Sequence, residues 1–182
     1  MNTRGNQKIA GAARAFDFDF RGKRVLDIGS STGGFTEYAL ESGAAMVVAV
    51  EKGARQMMAP LRFSPQVELH EKTDIFDYKA EKAFDVIVAD VSFISLRPVL
   101  EYAARELASS KTDFLVMLKP QFEATDVQLN RGVVKNERIR REIIREFEAW
   151  LIRHNFVIIK KRDNELAGKK ANVERFYWLR LQ

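Results

Sequence analysis

The sequence predicts an α/β sandwich built on a central, mostly parallel β-sheet. Two observations carry that expectation. Short and almost wholly apolar runs recur at RVLDIG (24–29), AAMVVAVE (44–51), FDVIVADV (84–91) and TDFLVMLK (112–119), as strands buried on both faces must read. Between and after them lie segments whose apolar residues return every three or four positions, as on one face of a helix. Strand and helix in alternation give helices packed on both sides of a sheet. The 182 residues are enough for one domain, 1–182, with a full-sized core.

Each element follows from its pattern. VELHEKTD (67–74) is apolar but interrupted by charge, so it is expected as a strand near a sheet edge. Helices are expected over FTEYALES (35–42), ARQMMAPLRF (54–63), LRPVLEYAARELA (96–108) and NERIRREIIREFEAWLIRHN (136–155), the last carrying Ile, Phe, Trp and Leu at helical spacing. Gly43 stands where a helix would end in a left-handed residue. Pro60 and Pro98 fall early in or inside helical patterns, which loosens those boundaries. FVIIKKRDN (156–164) and RFYWLRLQ (175–182) read as two final strands forming a hairpin. The polar N-terminal segment 1–23 is read as a basic extension of the domain.

Composition narrows the chemistry. Apolar residues make up 46% and charged residues 30%, a soluble globular mix. The absence of cysteine excludes disulfides, thiolate metal sites and a cysteine nucleophile. The two histidines, His70 and His154, form no ligand pattern, so no metal site is expected. The N-terminus has no long apolar run of the signal-peptide kind, no window is long enough to span a membrane, and a cytoplasmic location is expected. A net charge of +5 suits an anionic partner such as nucleic acid.

In an open α/β sheet, ligands bind beyond the carboxyl ends of the strands. The residues there are Asp27, Glu51, Asp74, Asp90 and Lys119. Four of the five are carboxylates, and each needs a partner to offset desolvation. Asp27 opens the turn DIGSSTGGFT, in which Gly29 and Gly33 let the backbone approach a ligand and Gly34 allows close helix–strand packing. The turn lacks the Gly-Lys-Ser/Thr ending of a P-loop. A loop that offers a carboxylate suits a ligand bearing an ammonium group. Glu51 can accept both hydroxyls of a ribose, and Asp74 an exocyclic amine of adenine. An ammonium, a ribose and an adenine together describe S-adenosylmethionine, with dinucleotide cofactors as the alternative. The candidate cofactor-binding set is Asp27, Gly29, Ser30, Ser31, Thr32, Gly33, Gly34, Phe35, Glu51, Asp74, Ile75 and Asp90.

DIGSSTGGFT, VADVSFISL (88–96), LKPQFE (118–123) and NVERFYWL (172–179) resemble the TlyA/hemolysin A family of FtsJ-like methyltransferases. The resemblance runs from about Thr3 to the C-terminus. It implies a Rossmann-like class I methyltransferase sandwich with an antiparallel C-terminal hairpin strand, S-adenosylmethionine as cofactor, and methylation of a ribose 2′-hydroxyl in ribosomal RNA or a ribosomal subunit. It also implies a Lys-Asp-Lys-Glu tetrad: Lys8 in TRGNQK, Asp90 in DVSF, Lys119 in KPQF and Glu174 in NVE. Two features depart from the family. The S4-type RNA-binding domain usual at the N-terminus is absent from this chain, and the approach to the last glutamate reads GKKANVE, whose extra Lys169 and Lys170 are candidates for phosphate contact or loop solubility.

Methyl transfer needs the nucleophilic oxygen aligned and its proton removed. A free lysine is neutral in roughly one part in a thousand near neutral pH, a penalty of about 4 kcal/mol. A nearby ammonium lowers a lysine pKa and a carboxylate raises it. Lys119 is read as the base nearest the reacting oxygen, with Asp90 and Glu174 orienting the two lysines and Lys8 steering substrate or tuning its neighbour. Phe93 and Phe122 flank the tetrad and can stack on a flipped nucleotide. Two basic clusters, Arg4 to Arg24 and Arg131 to Arg145, are candidates for phosphate contact. Competing readings are a catalytically silent cofactor-binding module, a small-molecule methyltransferase, and a membrane-acting hemolysin as some relatives are labelled.

Overall fold

The structure, a computed structural model, describes residues 3–166 and 172–182. Among these, seven strands form one sheet: β1 (Arg24–Ile28), β2 (Met46–Glu51), β3 (Val67–Glu71), β4 (Val86–Ala89), β5 (Asp113–Leu118), β6 (Phe156–Asp163) and β7 (Arg175–Leu181). Their spatial order is β3-β2-β1-β4-β5-β7-β6. The first five are parallel, and β7 runs antiparallel between β5 and β6. The expected mostly parallel sheet with an antiparallel C-terminal hairpin is therefore present, with β3 on one edge as its charge pattern implied. The chain builds outward from β1 to β3, then returns to place β4 against the other side of β1. That reversal opens a crevice at the carboxyl ends of β1 and β4.

Strand parity sends alternate side chains to opposite helical layers. Leu26 and Ile28 join Ile87, Phe114 and Val116 under α4 (Leu96–Glu106) and α5 (Glu137–Arg153). Val25, Val47, Val86 and Leu115 pack instead with α1 (Arg4–Phe16) and α2 (Gly34–Glu41). Phe20, Phe84, Phe114, Phe147 and Phe176 are fully buried, and each such side chain contributes about 1.5–3 kcal/mol through removal from water.

Three elements differ from expectation. The N-terminal extension is not merely a basic segment: α1 forms there, with the Thr3 hydroxyl accepting the Asn6 N–H at 3.1 Å and Asp17 closing the helix at φ 55°. The helix expected over 54–63 is reduced to α3 (Ala59–Arg62). Pro60 lies in its first turn, and a proline has no N–H to continue a helix from upstream. The strands also stop short of the expected limits. Asp90 and Lys119 lie one residue past β4 and β5, whereas Asp27 lies inside β1 and not at its end.

Candidate active site

Two ion pairs face the crevice. Lys119 Nζ lies 2.6 Å from Asp90 Oδ1 and donates to Ser92 Oγ at 2.7 Å. Lys8, from α1, lies 2.8 Å and 3.0 Å from the two carboxylate oxygens of Glu174. Lys8 lies on α1, Asp90 and Lys119 just past β4 and β5, and Glu174 just before β7; Lys8 and Glu174 are 166 residues apart in sequence. Lys8 and Lys119 side chains are both only 10% exposed, so neither pair is the loose surface contact that contributes little. Lys8, Asp90 and Lys119 line one cavity of about 200 Å³, and Glu174 reaches it through Lys8.

The turn after β1 forms the floor of this cavity. Asp27, Gly29, Ser30, Ser31, Thr32, Gly34 and Phe35 line it. Asp27 is fully buried, and its parity turns it toward α2, where the Thr36 hydroxyl donates to Oδ2 at 2.6 Å. Its Oδ1 has no hydrogen-bond partner among the described residues, and neither has the buried Ser30 Oγ. Burial, helped by the nearby Asp90 and Glu51 carboxylates, pushes the Asp27 pKa up to about 7 against the Thr36 hydrogen bond. A buried acid with an unmatched oxygen is the complement of a cationic ligand group.

A second cavity of about 680 Å³ adjoins the first. Gly29, Ser31, Asp90 and Ser92 line both. Glu51, Asp74, Ile75 and Phe93 line the second one. Glu51 accepts N–H bonds from Ser31 at 2.9 Å and Gly53 at 2.6 Å, which fixes its carboxylate at the end of β2. Asp74 was expected to offer a carboxylate to an exocyclic amine. Its oxygens are fixed by Lys52 Nζ at 2.9 Å and the Phe76 N–H at 3.2 Å, and, like those of Glu51, each keeps a further lone pair that can accept. The Lys52 and Phe76 bonds hold the Asp74 pKa below the usual carboxylate range against desolvation.

Two glycine assignments change. Gly33 lines neither cavity. It adopts φ 92°, and a Cβ there would lie 2.5 Å from Leu61 Cδ1. Gly34 serves helix–helix contact and not helix–strand contact. A Cβ on it would sit 2.7 Å from Thr3 Oγ1 and 2.8 Å from the Asn6 nitrogen, both on or capping α1.

The basic clusters also divide. Arg4 lines the smaller cavity beside Lys8. Arg21 pairs with Asp19, and Arg24 stacks over Phe84 at 3.9 Å, which leaves them away from the crevice. Arg140 is buried, donating to Asp163 at 2.7 Å and to the Val173 carbonyl, so it is structural. Lys169 and Lys170 lie outside the described residues. Phe93 is 93% exposed at φ 65°, and its ring lies 5.3 Å from that of Phe122. Sequence reasoning missed Ser92 and Lys52. Ser92 was legible, since it lies within the DVSF segment used to find Asp90.

The sequence profile of the FtsJ-like methyltransferases matches residues 1–181. The chain is 38% identical over 184 residues to the 16S/23S rRNA (cytidine-2'-O)-methyltransferase TlyA of Mycobacterium tuberculosis, covering 99% of this chain and 68% of that protein. A structure of a candidate hemolysin from Streptococcus thermophilus superposes with a TM-score of 0.92 at 29% identity, covering 99% of this chain and 66% of that one. The chain thus spans about two thirds of the length of both. The Burkholderia thailandensis 1,6-didemethyltoxoflavin-N1-methyltransferase, solved with S-adenosylhomocysteine bound, shares the fold at a TM-score of 0.67 and 18% identity, covering 97% of this chain and 77% of that one.

Proposed function

Because the chain belongs to the FtsJ-like methyltransferase family, we propose that it methylates a ribose 2′-hydroxyl of ribosomal RNA in the cytoplasm, with S-adenosylmethionine as methyl donor. The observation that carries this reading is the meeting of Lys8, Asp90, Lys119 and Glu174 as two ion pairs at the crevice.

The two adjoining cavities fit the cofactor's two ends. The unmatched Asp27 Oδ1 and Ser30 Oγ suit the polar amino-acid end in the smaller cavity. Glu51 suits the ribose hydroxyls, and the Asp74–Ile75 segment the purine, in the larger one. When bound, S-adenosylmethionine supplies a sulfonium methyl that is already electrophilic. The protein's own task is to position a ribose oxygen and hold its proton. Lys119 Nζ is the atom assigned to that proton, which it takes up as the neutral amine to become the ammonium paired with Asp90, with Asp90 and Ser92 fixing its direction. Lys8, held by Glu174, steers the substrate from the same cavity. Phe93 offers an exposed face on which the target base can stack.

The test is to incubate the protein with tritiated S-adenosylmethionine and unmodified small or large ribosomal subunits, then map any modified ribose. A 2′-O-methyl group on one defined nucleotide is expected. Cofactor binding without label in either subunit would overturn the assignment.

A further inference from the structure

The Lys8–Glu174 pair depends on a residue that neither touches the cavity nor belongs to the tetrad. Asn164 follows the last residue of β6 and is 7% exposed. Its Nδ2 donates to Glu174 Oε2 at 2.9 Å. Its backbone N–H donates to the Glu174 carbonyl at 2.8 Å, so the two residues are joined through both main chain and side chain. The orientation of the amide follows from chemistry. Asn164 Oδ1 takes the Leu166 N–H at 3.2 Å, and a backbone N–H can only donate. The nitrogen end must therefore face the carboxylate.

The flanking residues are pinned as well. Asp163 accepts from Arg140 at 2.7 Å and from Arg175 at 2.6 Å, and Arg175 directly follows Glu174. Glu174 thus stands between a fixed neighbour on β7 and a fixed partner on the β6 side. Its carboxylate still has to choose a rotamer. Lys8 cannot impose one, because it arrives from α1 on a long flexible stem of its own.

The identity of residue 164 matters for the same reason. A cation there would share Glu174's charge and weaken its hold on Lys8. A carboxylate there would repel it. A neutral donor fixes the geometry and leaves the whole negative charge for the lysine.

We propose that Asn164 is a positioning residue for methyl transfer, which acts by holding Glu174 in the orientation that keeps Lys8 at the cavity wall. The proposal rests on the catalytic reading of the tetrad, and a double-mutant cycle separates the two. Glu174→Ala, Asn164→Leu and the double variant are compared for single-turnover transfer to unmodified ribosomal subunits, for S-adenosylmethionine affinity and for melting temperature. Asn164→Leu should slow transfer about 10- to 100-fold, the scale of one hydrogen bond to a charged group, with cofactor affinity within about twofold, a change too small to count as a binding defect. Adding it to Glu174→Ala should slow transfer no further. Equal slowing on both backgrounds would overturn the proposal, since a purely structural residue acts regardless of Glu174. Full activity of Glu174→Ala alone would overturn the catalytic reading together with the proposal. Should Asn164→Leu not fold, Asn164→Ser keeps an acceptor for the Leu166 N–H and loses the reach to Glu174, so it carries the same comparison.

Discussion

Gly34, the first residue of α2, packs on Gly5 of α1 so closely that a Cβ on Gly34 would come within 2.9 Å of the Gly5 Cα. The contact ties the glycine turn after β1 to the helix that carries Lys8. Asn6 adds to it by donating to Glu37 at 3.0 Å and to Glu41 at 3.1 Å on α2. Gly34→Ala must push the two backbones apart. We expect a loss of about 1–3 kcal/mol, the usual cost of overpacking, read as a lower melting temperature. Transfer should fall more than cofactor affinity, because α1 brings Lys8 while the carboxylates on β1 and β2 remain in place. An unchanged melting temperature would show that the helices can separate freely.

Lys119 carries the proposed proton transfer, and its replacement separates binding from chemistry. Lys119→Met keeps the length and apolar stem and removes the amine. Single-turnover transfer should fall by about 10²–10⁴-fold, the range for a positioned acid–base group. Calorimetry should find S-adenosylmethionine affinity within a few-fold of the parent, since Asp27 and Glu51 are untouched. Retained transfer would exclude Lys119 as the base and shift attention to Lys8.

The parallel strands were legible because a strand covered on both faces has to be apolar along its buried length, and MVVAV and FLVML are. The strand-end carboxylates followed from that placement. α1 was missed because the segment was read for its basic charge, although its buried Ile9, Ala10, Ala12, Ala13 and Phe16 recur at helical spacing. In the segment expected as a helix over 54–63, Met57 is buried against Leu61 and Gln56 lines the larger cavity, yet only Ala59–Arg62 is helical, because apolar spacing alone does not fix conformation. The members of the tetrad followed from motif resemblance. Their pairing required the fold, because nothing local joins Lys8 to Glu174. Gly34 is a close approach as expected, but to α1 and not to a strand.

Asp27 makes both stability and cofactor binding depend on pH. Its folded pKa, about 7, lies above that of an unfolded aspartate, about 3.9. The folded state therefore holds the proton more tightly, and the contribution of Asp27 to stability is greatest below about pH 4. Between about pH 4 and pH 7 the unfolded state gives up this proton first, and the group costs up to about 4 kcal/mol by the upper end. Asp27→Asn, which keeps an acceptor for Thr36, should be more stable than the parent near neutral pH and similar below pH 4. Denaturant titrations across that range will measure it. A cationic ligand favours the carboxylate, so S-adenosylmethionine should bind more tightly as pH rises toward 7 and should release a proton on binding below it. Calorimetry in two buffers of different ionisation enthalpy reads that proton, and the same enthalpy in both would remove Asp27 from the site.

Phe93 gives the last test, and it sets function against stability. A phenylalanine at φ 65° occupies a conformation that costs a non-glycine residue about 1–2 kcal/mol. Its ring is 93% exposed, so burial returns little of that cost. The Phe122 ring lies 5.3 Å away and tilted by 50°, and almost all of the Phe93 side chain stays open to solvent. An exposed, strained aromatic at the mouth of the larger cavity is expected where a face is held ready for a base. Phe93→Gly removes the strain and the ring together. It should raise the melting temperature by about 2–4 °C, as about 1 kcal/mol does in a domain of this size. Transfer to ribosomal subunits should drop at least tenfold, the scale of one lost base–aromatic stack, while affinity for the cofactor changes little. Phe93→Ala separates the effects, since it removes the ring and keeps the strained backbone. It should lose transfer equally without the gain in stability. A stability loss in both variants would mean that the ring packs against the protein and does not await a substrate.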